Sequence, residues 1–190
     1  SDKSVNVSLV KKTYTLSTDT VGQGSVSKNP DKSTYTHGEI VQLTAIPSTS
    51  WSFSSWSGDQ TGSVNPASIT MNSNKTITAN FLINQYSIAV SSIPSAGGTA
   101  NGSGTYNHGQ TVNLVASANA GYEFVNWTEN GVQVSANTTY SFTATGNRTL
   151  VANFRLKTYT ITATAGAGGS INPSGNVNVT HGSNQTFSIA

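Results

Sequence analysis

The sequence predicts an all-β protein built as a tandem array of repeats. Three observations carry this prediction: a two-residue alternation of polarity, regular turn signals and an internal repeat. Apolar and polar residues alternate through Val41, Leu43 and Ala45, as in a half-buried strand. Gly and Asn separate such stretches at "VGQG", "SAGG" and "NSNK", where turns need glycine's backbone freedom or short polar side chains. Since no window shows the period of an amphipathic helix, we expect about six short strands per repeat.

The internal repeat is clearest in one motif. "YTHGEIVQLTA" at residues 35–45 returns as "YNHGQTVNLVA" at residues 106–116 and, less closely, as "VTHGSNQTFSIA" at residues 179–190. Further columns agree, because "ITANF" at 77–81 matches "LVANF" at 150–154. Several independent columns indicate a true repeat.

Module boundaries follow from the first residues of each repeat. The stretches "TYTLST", "QYSIAV" and "TYTITA" place Tyr14, Tyr86 and Tyr159 at the starts, which gives a period of 72 and then 73 residues. The predicted divisions are residues 1–12 as the final strand of a preceding or neighbouring module, 13–84 as module 1, 85–157 as module 2 and 158–190 as the first half of module 3.

Composition excludes several functional classes. Charged residues make up 8% of the chain and the formal net charge is +2, without a basic cluster, so we expect no nucleic-acid partner. Cysteine is absent, which excludes disulfides and thiolate chemistry. No apolar run approaches the roughly 18 residues of a membrane span, and the first dozen residues lack the apolar core of a signal peptide. We expect no membrane contact within this segment.

The three histidines raise the question of a metal or catalytic site. His37, His108 and His181 are each followed by Gly and an alternating strand, which is typical of a turn that starts a strand. A zinc site needs three or four converging ligands, and each module offers one His and few carboxylates. Asp59 and Glu129 do not repeat in register, so no acid/base pair is indicated. We therefore expect no enzyme activity, metal or other cofactor, histidines far apart in space, and little effect of His37→Asn.

Two aromatic pairs are the predicted centres of the module cores. Phe53 and Trp56 of module 1 correspond to Phe124 and Trp127 of module 2. Phe53 and Trp56 are three residues apart, so they reach the same face of a strand only if a bulge or turn lies between them.

A second aromatic column leaves an alternative open. Trp51, which corresponds to Tyr122, is a candidate for stacking on sugar rings if it is exposed. The alternative to a structural role is thus a carbohydrate-binding module.

Taken together, the columns resemble a known family. A starting Tyr-x-Leu/Ile, then Tyr-x-x-Gly, Val-x-Leu-x-Ala, aromatic-x-Phe-x-x-Trp and a closing Ala-Asn-Phe are similar to the divergent internalin-B-type repeat of bacterial and archaeal cell-surface proteins. The resemblance covers residues 14–190. It implies small β-rich, β-grasp-like modules without catalytic residues. Module 3 departs from the pattern, because Gln185 stands where Val41 and Val112 are found.

The resemblance and the composition predict a non-catalytic structural segment of an extracellular or cell-surface protein. Short linkers, "LINQ" after Phe81 and "RLKT" after Phe154, favour a semi-rigid stalk or adhesin spacer. Eight Asn-x-Ser/Thr sequons permit glycosylation in a suitable host. Surface glycans are possible partners.

The ends suggest a filament-forming subunit as a further hypothesis. "SVNVSLVKKTY" at residues 4–14 aligns with "TLVANFRLKTY" at residues 149–159, so the chain opens with a module's final strand and closes within module 3. Either the chain is part of a longer array, or one copy adds its first strand to the open half-module of the next. The candidate strand-exchange residues are Val5, Val7, Leu9, Phe187 and Ile189.

Overall fold

The all-β prediction is confirmed by a computed structural model that describes residues 3–190. Strands account for 60% of the residues and helix for 2%. Two compact units divide between Asn84 and Gln85. Within residues 3–190 no helix is long and apolar enough to cross a membrane.

Module 1 contains eight strands. They are β1 (Thr13–Tyr14), β2 (Leu16–Val21), β3 (Gly24–Asn29), β4 (Tyr35–Thr36), β5 (Ile40–Pro47), β6 (Trp51–Gly58), β7 (Ala67–Thr70) and β8 (Lys75–Ile83). One sheet has the order β2-β8-β6, in which β2 and β8 are parallel and β8 and β6 antiparallel. A second, antiparallel sheet has the order β3-β5-β7, and β1 pairs with β4.

The core of module 1 is formed by side chains from both sheets. Because side chains alternate across a strand, β5 directs Val41, Leu43 and Ala45 inward, and its intervening residues are more exposed. The buried cluster is Leu16, Tyr35, Val41, Leu43, Ala45, Trp56, Ala67, Ile69, Met71, Ile77, Ala79 and Phe81. The core therefore lies between the two sheets.

Module 2 repeats this plan and also contains eight strands. They are β9 (Gln85–Ile93), β10 (Gly98–Asn101), β11 (Gly104–Asn107), β12 (Thr111–Ala118), β13 (Tyr122–Glu129), β14 (Val132–Ser135), β15 (Thr139–Thr143) and β16 (Arg148–Leu156). The sheets have the orders β11-β9-β16-β13-β14 and β10-β12-β15, and β9 and β16 are parallel. A short 3₁₀ turn, Ser95–Gly97, precedes β10.

The predicted irregularity before each core tryptophan is confirmed. In module 1 the register between β6 and β8 shifts between Phe53 and Ser55, which brings Trp56 onto the inner face with Phe53. The ring centroids of Phe53 and Trp56 are 5.0 Å apart. Module 2 has the same shift after Phe124. Both core tryptophans are buried.

The half-module has four strands and little buried surface. They are β17 (Thr158–Ala163), β18 (Ile171–Asn172), β19 (Gly175–Thr180) and β20 (Ser188–Ile189). β17 pairs with β19 and β18 with β20, both antiparallel. Of its side chains only Ala163 is buried, and Gln185 is exposed.

The N-terminal segment and the linkers differ from the simplest expectation. Residues 3–12 form no strand. The linkers are shorter than "LINQ" and "RLKT", since Asn84 alone lies between β8 and β9, and Lys157 alone between β16 and β17.

Candidate functional site

The His-Gly motif forms the same turn in all three modules. The N–H of the fourth residue donates to the carbonyl of the first at 3.1 Å in residues 36–39, 3.0 Å in 107–110 and 3.0 Å in 180–183. The third residue is always Gly, with φ of 84°, 82° and 77°. A positive φ at the third position defines a type II turn and favours glycine. In modules 1 and 2 this turn precedes the central strand of the antiparallel sheet, β5 or β12.

The histidine of the turn is fixed through its backbone. The N–H of His37 donates to the carbonyl of Lys12 at 3.0 Å, and the N–H of His181 to the carbonyl of Lys157 at 2.8 Å. In both cases the acceptor is the residue just before the module's first strand. This turn therefore holds the start of the module in place.

The glycine N–H ties the same turn to the far side of the module. Gly38 donates to the carbonyl of Met71 at 2.9 Å, and Gly109 to that of Ala144 at 2.9 Å. The acceptors follow β7 and β15, the third strands of the antiparallel sheets. In module 1 the turn thus connects the residue before β1 with the residue after β7.

The imidazole lies against the first tyrosine of its module. Tyr14 Oη is 3.4 Å from His37 Nδ1, and Tyr86 Oη is 3.5 Å from His108 Nδ1. The ring centroids of the three Tyr–His pairs are 5.9, 5.9 and 6.0 Å apart. These oxygen–nitrogen distances are long for a hydrogen bond, so the main contribution is packing.

The turn that precedes β6 or β13 binds the single linker residue. The N–H of Lys157 donates to the carbonyl of Gly121 at 2.8 Å, while its carbonyl accepts from His181. One peptide segment is therefore bonded to the preceding module and to the following one. The N–H of Asn84 makes the first of these bonds, to the carbonyl of Ser50 at 2.9 Å. We call the set Gly121, Lys157 and His181 the joint.

The joint also depends on a close side-chain contact. The imidazole of His181 lies directly on the backbone of Gly121, so that a methyl group at Gly121 would overlap the ring. Gly121 has φ of 80°, which is a second reason for glycine there. The joint is thus a packed contact as well as a hydrogen-bonded one.

A polar side chain closes the turn in modules 1 and 2. The carboxylate of Glu39 accepts from the N–H of Thr36 at 3.0 Å, and the amide oxygen of Gln110 accepts from the N–H of Asn107 at 3.1 Å. A hydrogen bond from Lys32, followed by that from Thr36, lowers the pKa of Glu39 below its ordinary value. The charged form therefore stabilises the turn over the neutral range.

Asparagines in a repeated column are positioning residues that sequence reasoning missed. Asn74 Oδ1 accepts from the N–H of Thr15 at 3.0 Å, and Asn147 Oδ1 from the N–H of Ser87 at 2.8 Å. Each ties the turn before the last strand to the first strand. The sequence contains a signal for this role, because Asn74 and Asn147 occupy the same position in the repeat, three residues before the buried Ile77 or Leu150.

The candidate sugar-stacking residues lie over glycines. Trp51 is half-buried against the module 1 core, and a Cβ at Gly22 would lie 2.7 Å from its Cζ3. Tyr122 is half-buried in the same column, beside Gly97. This placement favours a packing role for both rings at the end of their cores.

The candidate strand-exchange residues divide into two groups. Val5, Val7 and Leu9 are 85%, 77% and 91% exposed. Phe187 is half-buried and precedes β20, and Ile189 lies in β20 and is exposed. Ile189 pairs with Ile171 of β18, whereas Val5, Val7 and Leu9 lie in no strand.

Clusters of ionisable side chains are scarce in the described residues. Between residues 3 and 190, no three His, Asp or Glu side chains lie close enough to bind one metal ion. The same part of the chain contains no enclosed pocket.

The fold and the recurring turns define an all-β protein of tandem structural repeats. The model of the divergent InlB B-repeat domain matches residues 14–85 and 88–158. The chain belongs to this family, as the resemblance predicted. No curated protein and no solved structure is detectably similar to the chain.

Proposed function

We propose that the chain is a non-catalytic, semi-rigid spacer in an extracellular or cell-surface protein. Membership in a repeat family of surface proteins supports a structural role. A stalk must hold its modules at a restricted angle, and an array with short linkers does so better than one with flexible linkers.

The observation that carries this proposal is the single-residue linker. Lys157 is bonded through its N–H to Gly121 and through its carbonyl to His181. A residue bonded on both sides has little freedom to rotate, because either rotation breaks a hydrogen bond of about 1 kcal/mol. Asn84 makes the first of these two bonds, to Ser50.

Loosening the linker tests the proposal. Inserting Gly-Ser-Gly after Lys157 should let the half-module reorient independently of module 2, so that the rotational correlation time of the half-module falls below that of module 2. Nitrogen-15 relaxation measures this for each module. The control is the same insertion after Gly131, an exposed turn position where an added Cβ would meet nothing within 4 Å; it should leave the correlation times unchanged. Independent tumbling in the unmodified chain would contradict a semi-rigid spacer.

Binding of surface glycans through Trp51 and Tyr122 stays a second prediction. An indole that binds sugar must offer a free face, and one part of Trp51 already covers Gly22. Titration of the chain with cell-wall oligosaccharides, followed by tryptophan fluorescence, measures this function. A saturable shift that Trp51→Phe removes would establish it and would add an adhesive role to the spacer.

A further inference from the structure

The bulge that brings each core tryptophan inward lies opposite an asparagine. In module 1 Ser54 has no partner on β8, and the next residue, Ser55, is paired with Asn80. In module 2 the corresponding bulge lies opposite Asn153. A bulge interrupts the ladder of backbone hydrogen bonds between two strands, so a side-chain donor at this point can replace a missing ladder bond.

The asparagine side chain of module 1 bonds to the bulged strand. Asn80 Nδ2 donates to the carbonyl of Ser55 at 3.1 Å and to Ser57 Oγ at 3.0 Å, with Ser55 Oγ at 3.4 Å. Asn80 lies half-buried on the outer face of β8, opposite to the core. One amide group therefore bonds to the residues on both sides of Trp56.

Module 2 has the same contact within a wider network. Asn153 Nδ2 donates to Asn126 Oδ1 at 2.8 Å and to Thr128 Oγ1 at 3.0 Å, and the Asn126 carbonyl lies 3.4 Å away. Asn126 Nδ2 in turn donates to Gln133 Oε1 on β14 at 2.8 Å. Both neighbours of Trp127 are thus bonded to the asparagine of β16.

The bulge decides which face of the sheet the tryptophan occupies. Phe53 is paired with Phe81, and both rings belong to the core. Without a bulge, regular pairing from that point would set Trp56 opposite Thr78, which lies on the outer face of β8. A shift of one residue in register moves side chains to the other face, so Trp56 would leave the core.

We propose that Asn80 and Asn153 fix this register, because each bonds to both neighbours of its core tryptophan and so favours the bulged pairing over the regular one. An asparagine suits this position because its amide group carries two N–H donors, whereas a serine or threonine hydroxyl carries one donor. The recurring Ala-Asn-Phe stretch then combines two core residues with one register-setting residue. The role goes beyond the spacer function, because it concerns each module by itself.

Removing the amide tests this role, and each module serves as the control of the other. In Asn80→Ala we expect a second NMR signal from the Trp56 indole N–H, which a soluble paramagnetic agent broadens because the regular pairing exposes the ring. The Trp127 signal should remain single and protected, and Asn153→Ala should reverse this pattern. Thr78→Ala, which changes the next outward residue of β8, should leave both signals single.

An aspartate substitution adds a pH dependence that simple destabilisation does not produce. The neutral carboxylic acid introduced by Asn80→Asp has one O–H donor, whereas its carboxylate has none. The bulged pairing therefore favours the protonated acid, which raises the pKa of this carboxyl above its ordinary value of about 3.9. We expect the exposed Trp56 signal at neutral pH and its loss as pH falls through that raised pKa. Asn153→Asp should do the same for Trp127.

Two results would overturn the proposal. One is a single, protected Trp56 signal in Asn80→Ala, because the bulge would then form without the amide; the other is an equal effect of Thr78→Ala. If module 1 is unfolded at neutral pH in these variants, Asn80→Asp decides: recovery of the protected signal in acid supports the role, and an unfolded module at every pH contradicts it. The indole signals do not report how modules reorient, so this outcome is independent of the spacer test.

Discussion

Modules 1 and 2 share their cores and differ at their edges. Trp56 and Trp127 are both buried, and the valine and leucine of β5 have buried counterparts in β12. The loops after the tryptophans have different lengths and different hydrogen bonds. Close packing restricts which side chains can occupy the buried positions of the repeat. Positions in the loops need only hydrogen-bond partners for their polar groups, and several different sequences can provide these.

The loop after the tryptophan illustrates this freedom. In module 1 the Asn65 side chain accepts from the Ala45 N–H at 2.9 Å and donates to the Ala45 carbonyl at 2.8 Å. In module 2 the equivalent N–H, of Ala116, donates to the backbone carbonyl of Thr138 at 2.9 Å. The equivalent backbone N–H is thus bonded to a side-chain amide oxygen in module 1 and to a backbone carbonyl in module 2.

The charged contacts differ as well. Module 2 has a bidentate ion pair between Arg148 and Glu129, and the guanidinium lies 4.1 Å from the Phe142 ring centroid. Module 1 has Lys75 in the column of Arg148, and there the Asp59 carboxylate accepts from the N–H of Thr76 at 2.7 Å. Each module therefore fixes the start of its last strand with a different carboxylate contact.

The largest expected effect breaks the shared core. Trp127→Ala should cost about 3–5 kcal/mol, which is comparable with the whole stability of a module of about 70 residues. Module 2 should then unfold while module 1 stays folded, and Trp56→Ala should do the reverse. Amide hydrogen exchange read separately for each module measures both outcomes.

The half-buried Trp51 provides the control for that experiment. Trp51→Ala should cost clearly less than Trp56→Ala, because the ring is only half-buried at the end of the core. Loss of protection in both modules from a single tryptophan change would mean that they fold as one body.

A smaller effect should come from the module-specific amide. Asn65→Ala should destabilise module 1 by about 1–3 kcal/mol, because it leaves the N–H and the carbonyl of Ala45 without partners. Asn72→Ala is the matched control at an exposed turn, and we expect it to change stability by less than about 0.5 kcal/mol. Urea unfolding of module 1 measures both, and equal midpoints for the two variants would show that the backbone re-forms these bonds without Asn65.

The smallest effect concerns the ion pair of module 2. A hydrogen bond from Arg148 lowers the pKa of the Glu129 carboxyl below its ordinary value. A carboxyl with a lowered pKa stabilises the fold above its unfolded pKa, and this contribution is lost as pH falls through the folded pKa. The pair is partly exposed, so we expect at most about 1 kcal/mol, lost below about pH 4.

Glu129→Gln should therefore flatten the acid side of the stability profile of module 2 and leave module 1 unchanged. Denaturant unfolding at successive pH values checks this. Glu123→Gln, which removes a more exposed ion pair with Arg155, should leave the profile nearly as it was. If the stability of the Glu129→Gln variant still falls as steeply at low pH as that of the unmodified chain, other carboxylates cause the acid destabilisation of module 2.

The sequence allowed the repeat, the strands and the core columns to be predicted, because each depends on local alternation. The bulge before Trp56 was predictable for the same reason, since odd spacing cannot place two rings on one face. The second sheet was not, because it depends on pairing between distant strands such as β3 and β5.

Some features of the structure have a local sequence signal, and others depend on contacts between residues that are distant in the sequence. The hairpin of β13 and β14 has Asn130 and Gly131 at its turn, both with positive φ, and the Asn-Gly pair is a strong hairpin signal that we did not use. The double hydrogen bond of Asn65 has no such signal, because its partner Ala45 is twenty residues away. The joint of Gly121 and His181 likewise exists only once two modules are in contact.

The parallel pairing of first and last strands has a mechanical consequence. Six residues of β2 lie beside six residues of β8 and run in the same direction, so the chain enters and leaves module 1 at opposite ends of this pair. Tension along the chain slides one strand lengthwise past the other, and all the hydrogen bonds between them carry the load together. β9 and β16 repeat the arrangement in module 2. Each module is thereby built to resist stretching in shear, instead of opening one bond at a time.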